Sequence, residues 1–268
     1  MIQLKEYNRC TSLGLQSNSS SLKPFIRLIL FFFFTNCTAN SKQLIEKNKK
    51  QIIFSNETVD YYRDEIKRAV SLLTSKTQTI NLELNKKERA EIIAIAFPEV
   101  LRYNSFSDYI ETSTNRVLYI KKGKKASDFS TGYFQMKPSF IEDLENYVAK
   151  NESLQQYHWI LIKKKSEIEI KKERINRLES FQWQLRYLKI FWNIAELKYK
   201  HIEFKTKNDK IRFYATAYNY GFTKPEKEII NYQNIKIFPY GKGSDMEKYA
   251  FSDFSIDFII NYSSLFNQ

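Results

Sequence analysis

With 268 residues and 43% hydrophobic side chains, the chain can bury a substantial core, which excludes a disordered polymer and fits one large domain or two small ones. Its 43 Lys and Arg against 30 Asp and Glu give a formal charge of +13. That balance favours an anionic partner, whether wall polymer, membrane surface or nucleic acid, or else marks a lysine-rich surface without a partner. The two histidines, His158 and His201, stand far apart without ligand spacing, and the two cysteines leave no obvious pair. A zinc site, a Ser-His-Asp arrangement and a disulfide framework are therefore not expected, nor is a glycine-rich phosphate loop. Chemistry must come from carboxylates, amides and hydroxyls.

Residues 1–37 read as an export signal. Lys5, Arg9, Lys23 and Arg27 precede or enter the apolar run "FIRLILFFFF", which is too short to span a bilayer, and Cys37 follows where a lipoprotein signal places its acylated cysteine. The long polar stretch before Lys23 would also fit a true start further downstream. Residues 38–56 are polar and basic, as expected of a tether, and 57–268 form the folded part. The expected location is the periplasm or cell envelope, with a possible membrane anchor through lipid on Cys37.

The folded part opens with a helix expected over 59–73, with Ile66, Val70 and Leu73 on one face. Asn85, followed by Glu88, resembles a cap for the next helix, "RAEIIAIAFPEVLRY". Projected at 100° per residue, that helix gathers Ile92, Ile93, Ile95, Ala96 and Val100 on one arc, and Glu99 falls inside it. Either Glu99 is buried with a raised pKa, or the helix ends at Pro98 and Glu99 points into water. Residues 103–129 contain β-rich runs and turn residues at Lys122–Lys125, which predict a small hairpin.

"DFSTGYFQMKPSF" follows at 128–140. Pro138 suits the first turn of a helix, Gly132 a close backbone approach, and Gln135 both donates and accepts hydrogen bonds. A helical insertion is expected near 151–205, with one long amphipathic helix over 175–199 carrying Leu178, Phe181, Leu185, Leu188, Trp192, Ala195 and Tyr199. Trp192 on that stripe is expected in the core. Asn208 or Asp209 can cap a further helix that carries Tyr218 on its inner face and stops at Gly221, and a final helix is expected over 245–261 with Met246, Ala250, Phe254 and Phe258 aligned.

Three of these pieces occur in a telling order: Glu99 near a helix end, Gly132-x-x-Gln135-Met136-x-Pro138, then Ala217-Tyr218-Asn219-x-Gly221. Together they resemble the soluble lytic transglycosylase branch of the lysozyme-like superfamily. The resemblance covers about residues 85–222 and departs in two places. Val100 stands where the family has serine, and Tyr133-Phe134 precede Gln135 where the family has Leu-Met-Gln order.

The resemblance implies a mainly α, lysozyme-like α+β fold with a small β-hairpin beside the cleft. It implies cleavage of peptidoglycan between N-acetylmuramic acid and N-acetylglucosamine, forming a 1,6-anhydro end, with no cofactor and no metal. Glu99 would be the single acid and base, protonated by apolar surroundings at a pKa of about 6. Ser130, Gly132, Gln135, Met136, Tyr218 and Asn219 would bind the glycan. Three alternatives stay open: a lysozyme-type hydrolase using Asp108, Glu111 or Asp128 as a second carboxylate, a binding protein without turnover, and a nucleic-acid binder. The export signal argues against nucleic acid as the partner.

Overall fold

The computed structural model describes residues 60–103, 105–241 and 245–267, with the helix alone given at 105–112. All belong to the compact unit Phe54–Gln268. The expected export signal, Cys37 and the 38–56 tether lie outside the described residues. The fold is mostly helical, with a small two-stranded antiparallel sheet. Among the described residues no helix is long and apolar enough to cross a membrane.

After a 3₁₀ turn at Asp60–Tyr62 come α1 (Arg63–Thr74) and α2 (Thr77–Glu83). Helix α3 (Arg89–Arg102) is the centre of the molecule, because every residue from Arg89 to Leu101 is buried. A helix that is apolar on all sides can only be stable when neighbours surround it. Its few charges find partners: Arg89 donates to the carbonyls of Phe266 at 3.0 Å and Leu84 at 3.3 Å. Helix α3 is not capped by Asn85, whose Oδ1 accepts the N–H of Lys87 at 3.3 Å in a local turn.

The hairpin expected over 103–129 is instead a helix, α4 (Ser105–Lys122). Its side chains meet partners on other helices, since Arg116 reaches Glu179 at 2.6 Å and the Tyr119 hydroxyl donates to Glu142 at 2.7 Å. Such contacts override local strand preference. The turn residues were a real signal, but for a helix stop: Gly123 takes φ +78° and its N–H returns to the Tyr119 carbonyl at 2.7 Å.

Helix α5 (Pro138–Lys150) begins with proline in its first turn, as expected. The amphipathic stripe over 175–199 is buried except for half-buried Phe181, but on two helices, α6 (Glu167–Glu179) and α7 (Phe181–Lys198). Ser180 breaks the run and caps α7, its Oγ accepting the N–H of Trp183 at 3.4 Å. One buried cation fastens α4, α5 and α6 together. Arg174 donates to the Tyr119 hydroxyl at 2.6 Å, to Glu142 at 3.3 Å and to Glu145 at 2.6 Å.

Helix α8 (Lys207–Tyr220) is capped by Thr206 rather than Asn208 or Asp209. Thr206 Oγ1 accepts the Asp209 N–H at 3.1 Å, while Asp209 accepts the Thr206 N–H at 3.0 Å. After α9 (Glu226–Tyr232), strands β1 (Lys236–Phe238) and β2 (Tyr249–Ala250) pair antiparallel. The last helix, α10 (Phe251–Tyr262), starts later than expected, since Tyr249 and Ala250 are drawn into the sheet and Met246 is exposed. Asp253 opens it by accepting the Ala250 N–H at 3.0 Å. Helices α3, α8 and α10 pack on one another and form the core that carries the site.

Candidate active site

Glu99 lies on the last turn of α3, only 6% exposed, one residue after Pro98. The helix continues through the proline, so the carboxyl does not reach bulk solvent. Arg68 of α1 holds the end of that helix, donating to the carbonyls of Leu101 at 2.5 Å and Tyr103 at 2.8 Å. A helix end leaves such carbonyls without partners, and the guanidinium supplies them. Burial pushes the Glu99 carboxyl up to about 7, against the pull of Arg102 and Lys137. Arg102 Nη1 touches it at 3.3 Å. Val100, where the resemblance calls for serine, is fully buried and offers Glu99 no hydrogen bond.

The glutamine loop is a tight turn closed by Thr131 and Met136, whose backbones exchange hydrogen bonds of 3.0 and 3.1 Å. Gln135 sits at φ +47°, a left-handed conformation that its side-chain amide supports by donating to the Gly132 carbonyl at 2.9 Å. Gly132, with φ +74°, serves a different purpose from the expected approach to a sugar. The fully buried amide of Gln184 occupies the space its side chain would fill. Gln184 Oε1 accepts the Phe134 N–H at 2.9 Å, and its Nε2 donates to the carbonyls of Thr131 at 3.2 Å and of Leu178. Gly132 is accordingly not among the cleft-lining residues.

Tyr218 of α8 closes the third side. Its hydroxyl donates to the Phe134 carbonyl at 2.6 Å, which ties the helix to the glutamine loop. Burial, then the charge of Glu99, raises its pKa well above that of a free phenol. With its proton committed, the phenol oxygen can only accept from the cleft.

These elements enclose a cleft of about 440 Å³ lined by Glu99, Ser130, Gln135, Met136, Tyr218 and Asn219. Six of the seven residues singled out from the sequence thus share one cavity. Met136 is itself 1% exposed and contributes floor rather than reach. Asp128, a candidate second carboxylate, also lines the cleft but grips the start of α5, accepting the Ser139 N–H at 2.9 Å and hydroxyl at 2.7 Å. The side chains of Asp108 and Glu111 lie outside the described residues. No family model, curated protein or solved structure matches the chain. The chemistry of the cavity is therefore read from its own groups.

Sequence reasoning missed Arg102, Lys137, Asp143 and Lys224, all of which line the same cleft. Asp143 stands in the second turn of the helix that Pro138 was expected to open, on the same face as Ser139 four residues before it. Burial raises its pKa, Lys124 pulls it down, and Glu142 and Asp128 push it up again. A second cavity of about 990 Å³ adjoins the first, and Arg102 and Asn219 line both. Trp192 faces neither; it is buried and donates to Glu88 at 3.3 Å. Among the described residues no group of three or more His, Cys, Asp or Glu could hold a metal ion.

Proposed function

We propose that the chain is a peptidoglycan lytic transglycosylase that cleaves the β-1,4 bond between N-acetylmuramic acid and N-acetylglucosamine. One observation carries the reading: a buried Glu99 shares a cleft with the glutamine loop and the tyrosine of α8, the three segments that resemble that family. A carboxyl titrating near 7 is suited to hold a proton and then to give it up, as one group serving as acid and base must.

Glu99 donates its proton to the bridging oxygen, the bond from that oxygen to the anomeric carbon breaks, and the N-acetylglucosamine side leaves as an alcohol. The acetamide carbonyl of the muramic sugar relieves the positive charge at the anomeric carbon. Glu99, now a carboxylate, takes the proton of the sugar's own primary hydroxyl, and that oxygen closes the 1,6-anhydro ring. Tyr218, restricted to accepting, orients a sugar hydroxyl, and exposed Asn219 offers an amide at the rim. Export by the 1–37 segment, with lipid on Cys37 and residues 38–56 as a tether, would deliver the enzyme to the cell envelope.

A second reading has Asp143 in its favour, a carboxyl in the same cleft whose pKa burial raises above the ordinary aspartate value. A lysozyme-type hydrolase would use such a group to position water. Digestion of purified peptidoglycan by the wild type and by Glu99→Gln, read by product mass, separates these. Anhydro ends from the wild type alone support the transglycosylase, reducing ends select the hydrolase, and no release from either leaves a glycan-binding protein.

A further inference from the structure

The larger cavity holds groups that cleavage by one acid does not use. Its walls include Tyr232, Phe238 and Tyr240, and two guanidinium groups and one carboxylate, that of Glu65, reach it. Arg68 is committed to the carbonyls at the end of α3. Arg102 is placed differently: it gives one N–H to Glu99 at 3.3 Å, its side chain is 48% exposed, and its guanidinium carbon lies 5.9 Å from the centroid of the Phe238 ring in the larger cavity.

The pairing works against an acid. A neighbouring cation favours the carboxylate, whereas a proton donor must be neutral. At 3.3 Å the contact is longer than an ordinary N–H···O bond, and the arginine side of the pair is half exposed, so water and other anions reach the guanidinium. An anion arriving in the larger cavity competes for the same guanidinium and can make a charge-assisted, bidentate contact with it.

We infer that the larger cavity binds a carboxylate carried on an amide-rich or apolar body, and that Arg102 leaves Glu99 to hold it. The substrate thereby loads the acid that cleaves it, with the proton drawn from solvent as the guanidinium departs. This deepens the transglycosylase reading and rests on it for the ligand: on a peptidoglycan strand the carboxylate belongs either to the peptide stem or to the lactyl group of the muramic sugar. Arg102 is in this sense a positioning residue, acting through Glu99. The other groups facing Glu99 are Lys137, which precedes α5, and Tyr218 of α8, with Asp128, Asp143 and Lys224 elsewhere in the cleft. Lys137 remains when Arg102 swings away, so it limits how far the carboxyl rises.

The test is a carbon-13 titration of the Glu99 carboxyl in the whole protein, alone and with three probes: a disaccharide bearing a tetrapeptide stem, the same disaccharide with the lactyl carboxylate only, and neutral chitobiose. The free midpoint, about 7, moves up with a carboxylate probe and not with chitobiose. Whichever of the first two suffices identifies the source of the carboxylate. Arg102→Gln starts higher, no longer responds, and binds that probe about 10- to 100-fold more weakly. Arg102→Lys retains a reduced response, and the basic limb of the kcat/KM profile of Arg102→Gln lies at higher pH than that of the wild type. A midpoint unmoved by both carboxylate probes, or moved equally by chitobiose, overturns the inference. The titration requires no bond cleavage, so the two readings fail separately. A midpoint that moves in a protein releasing nothing from peptidoglycan refutes the transglycosylase alone, and cleavage without movement refutes the Arg102 exchange alone.

Discussion

A Cβ on Gly132 would lie 1.6 Å from Nε2 of Gln184, far inside any non-bonded contact. The glutamine loop and helix α7 therefore interlock at a point where one residue has no side chain and the other has no room to move. Gln184 is fully buried and its amide is bonded on both ends. The loop that presents Gln135 to the cleft is shaped from behind.

Gly132→Ala should accordingly destabilise the protein by about 2–4 kcal/mol, the range for overpacking combined with a left-handed backbone. Urea unfolding measures it. Adding Gln184→Ala removes the clash as well as the hydrogen bonds, so the double variant should cost less than the sum of the two singles. Strict additivity would show that the two positions do not press on each other.

Burial pushes the Glu99 carboxyl up to about 7 when folded, against 4.5 for an exposed glutamate. Between those values the folded chain holds a proton that the unfolded chain has released. The contribution of this group is thus fully present below pH 4.5 and is lost as pH rises toward 7, by about 3 kcal/mol in all. Asp257, raised to about 6 by burial, adds a slope of the same sign. The informative quantity is therefore the difference between wild type and Glu99→Gln, which should widen over that window in urea titrations. Parallel curves would mean that the carboxyl is hydrated.

Arg174→Met should cost about 3–5 kcal/mol at neutral pH, because it leaves Glu145 at a buried seam without its ion-pair partner, whereas Glu142 keeps Lys124 at 3.0 Å. Part of that loss should return on acidification, because burial raises the Glu145 carboxyl and lets it become neutral. Thermal unfolding of the variant at pH 5 and pH 8 checks this; equal losses at both would mean that packing rather than charge is at stake.

Periodicity put Glu99 among Ile95, Ala96 and Val100 but left open a helix end at Pro98 with the carboxyl in water; the surrounded helix follows the projection across Pro98 because its neighbours hold it there. The start of α5 was legible for a local reason, proline in the first turn. The strand-like residues of 103–129 misled because Tyr119 and Arg116 are held by Glu142 and Glu179, partners that only the tertiary fold supplies. The break at Ser180 was hidden because its apolar stripe runs on unchanged from α6 into α7. Thr206 and Asp209 were a readable capping pair, but Asp209 reads at first as the cap itself, which passes over Thr206 three residues before it. Arg102 escaped notice because a cation one turn from an acid is ordinary on a helix surface and consequential only where the acid is dry.

The helices spanning 151–205 look like an appendage in the sequence, yet they supply Arg174, around which α4 and α5 close, and Gln184, which moulds the glutamine loop. They are a strut. A shortened chain lacking them would keep Glu99, Gln135 and Tyr218 while losing what aims them at one another, so the cleft does not survive as a smaller module.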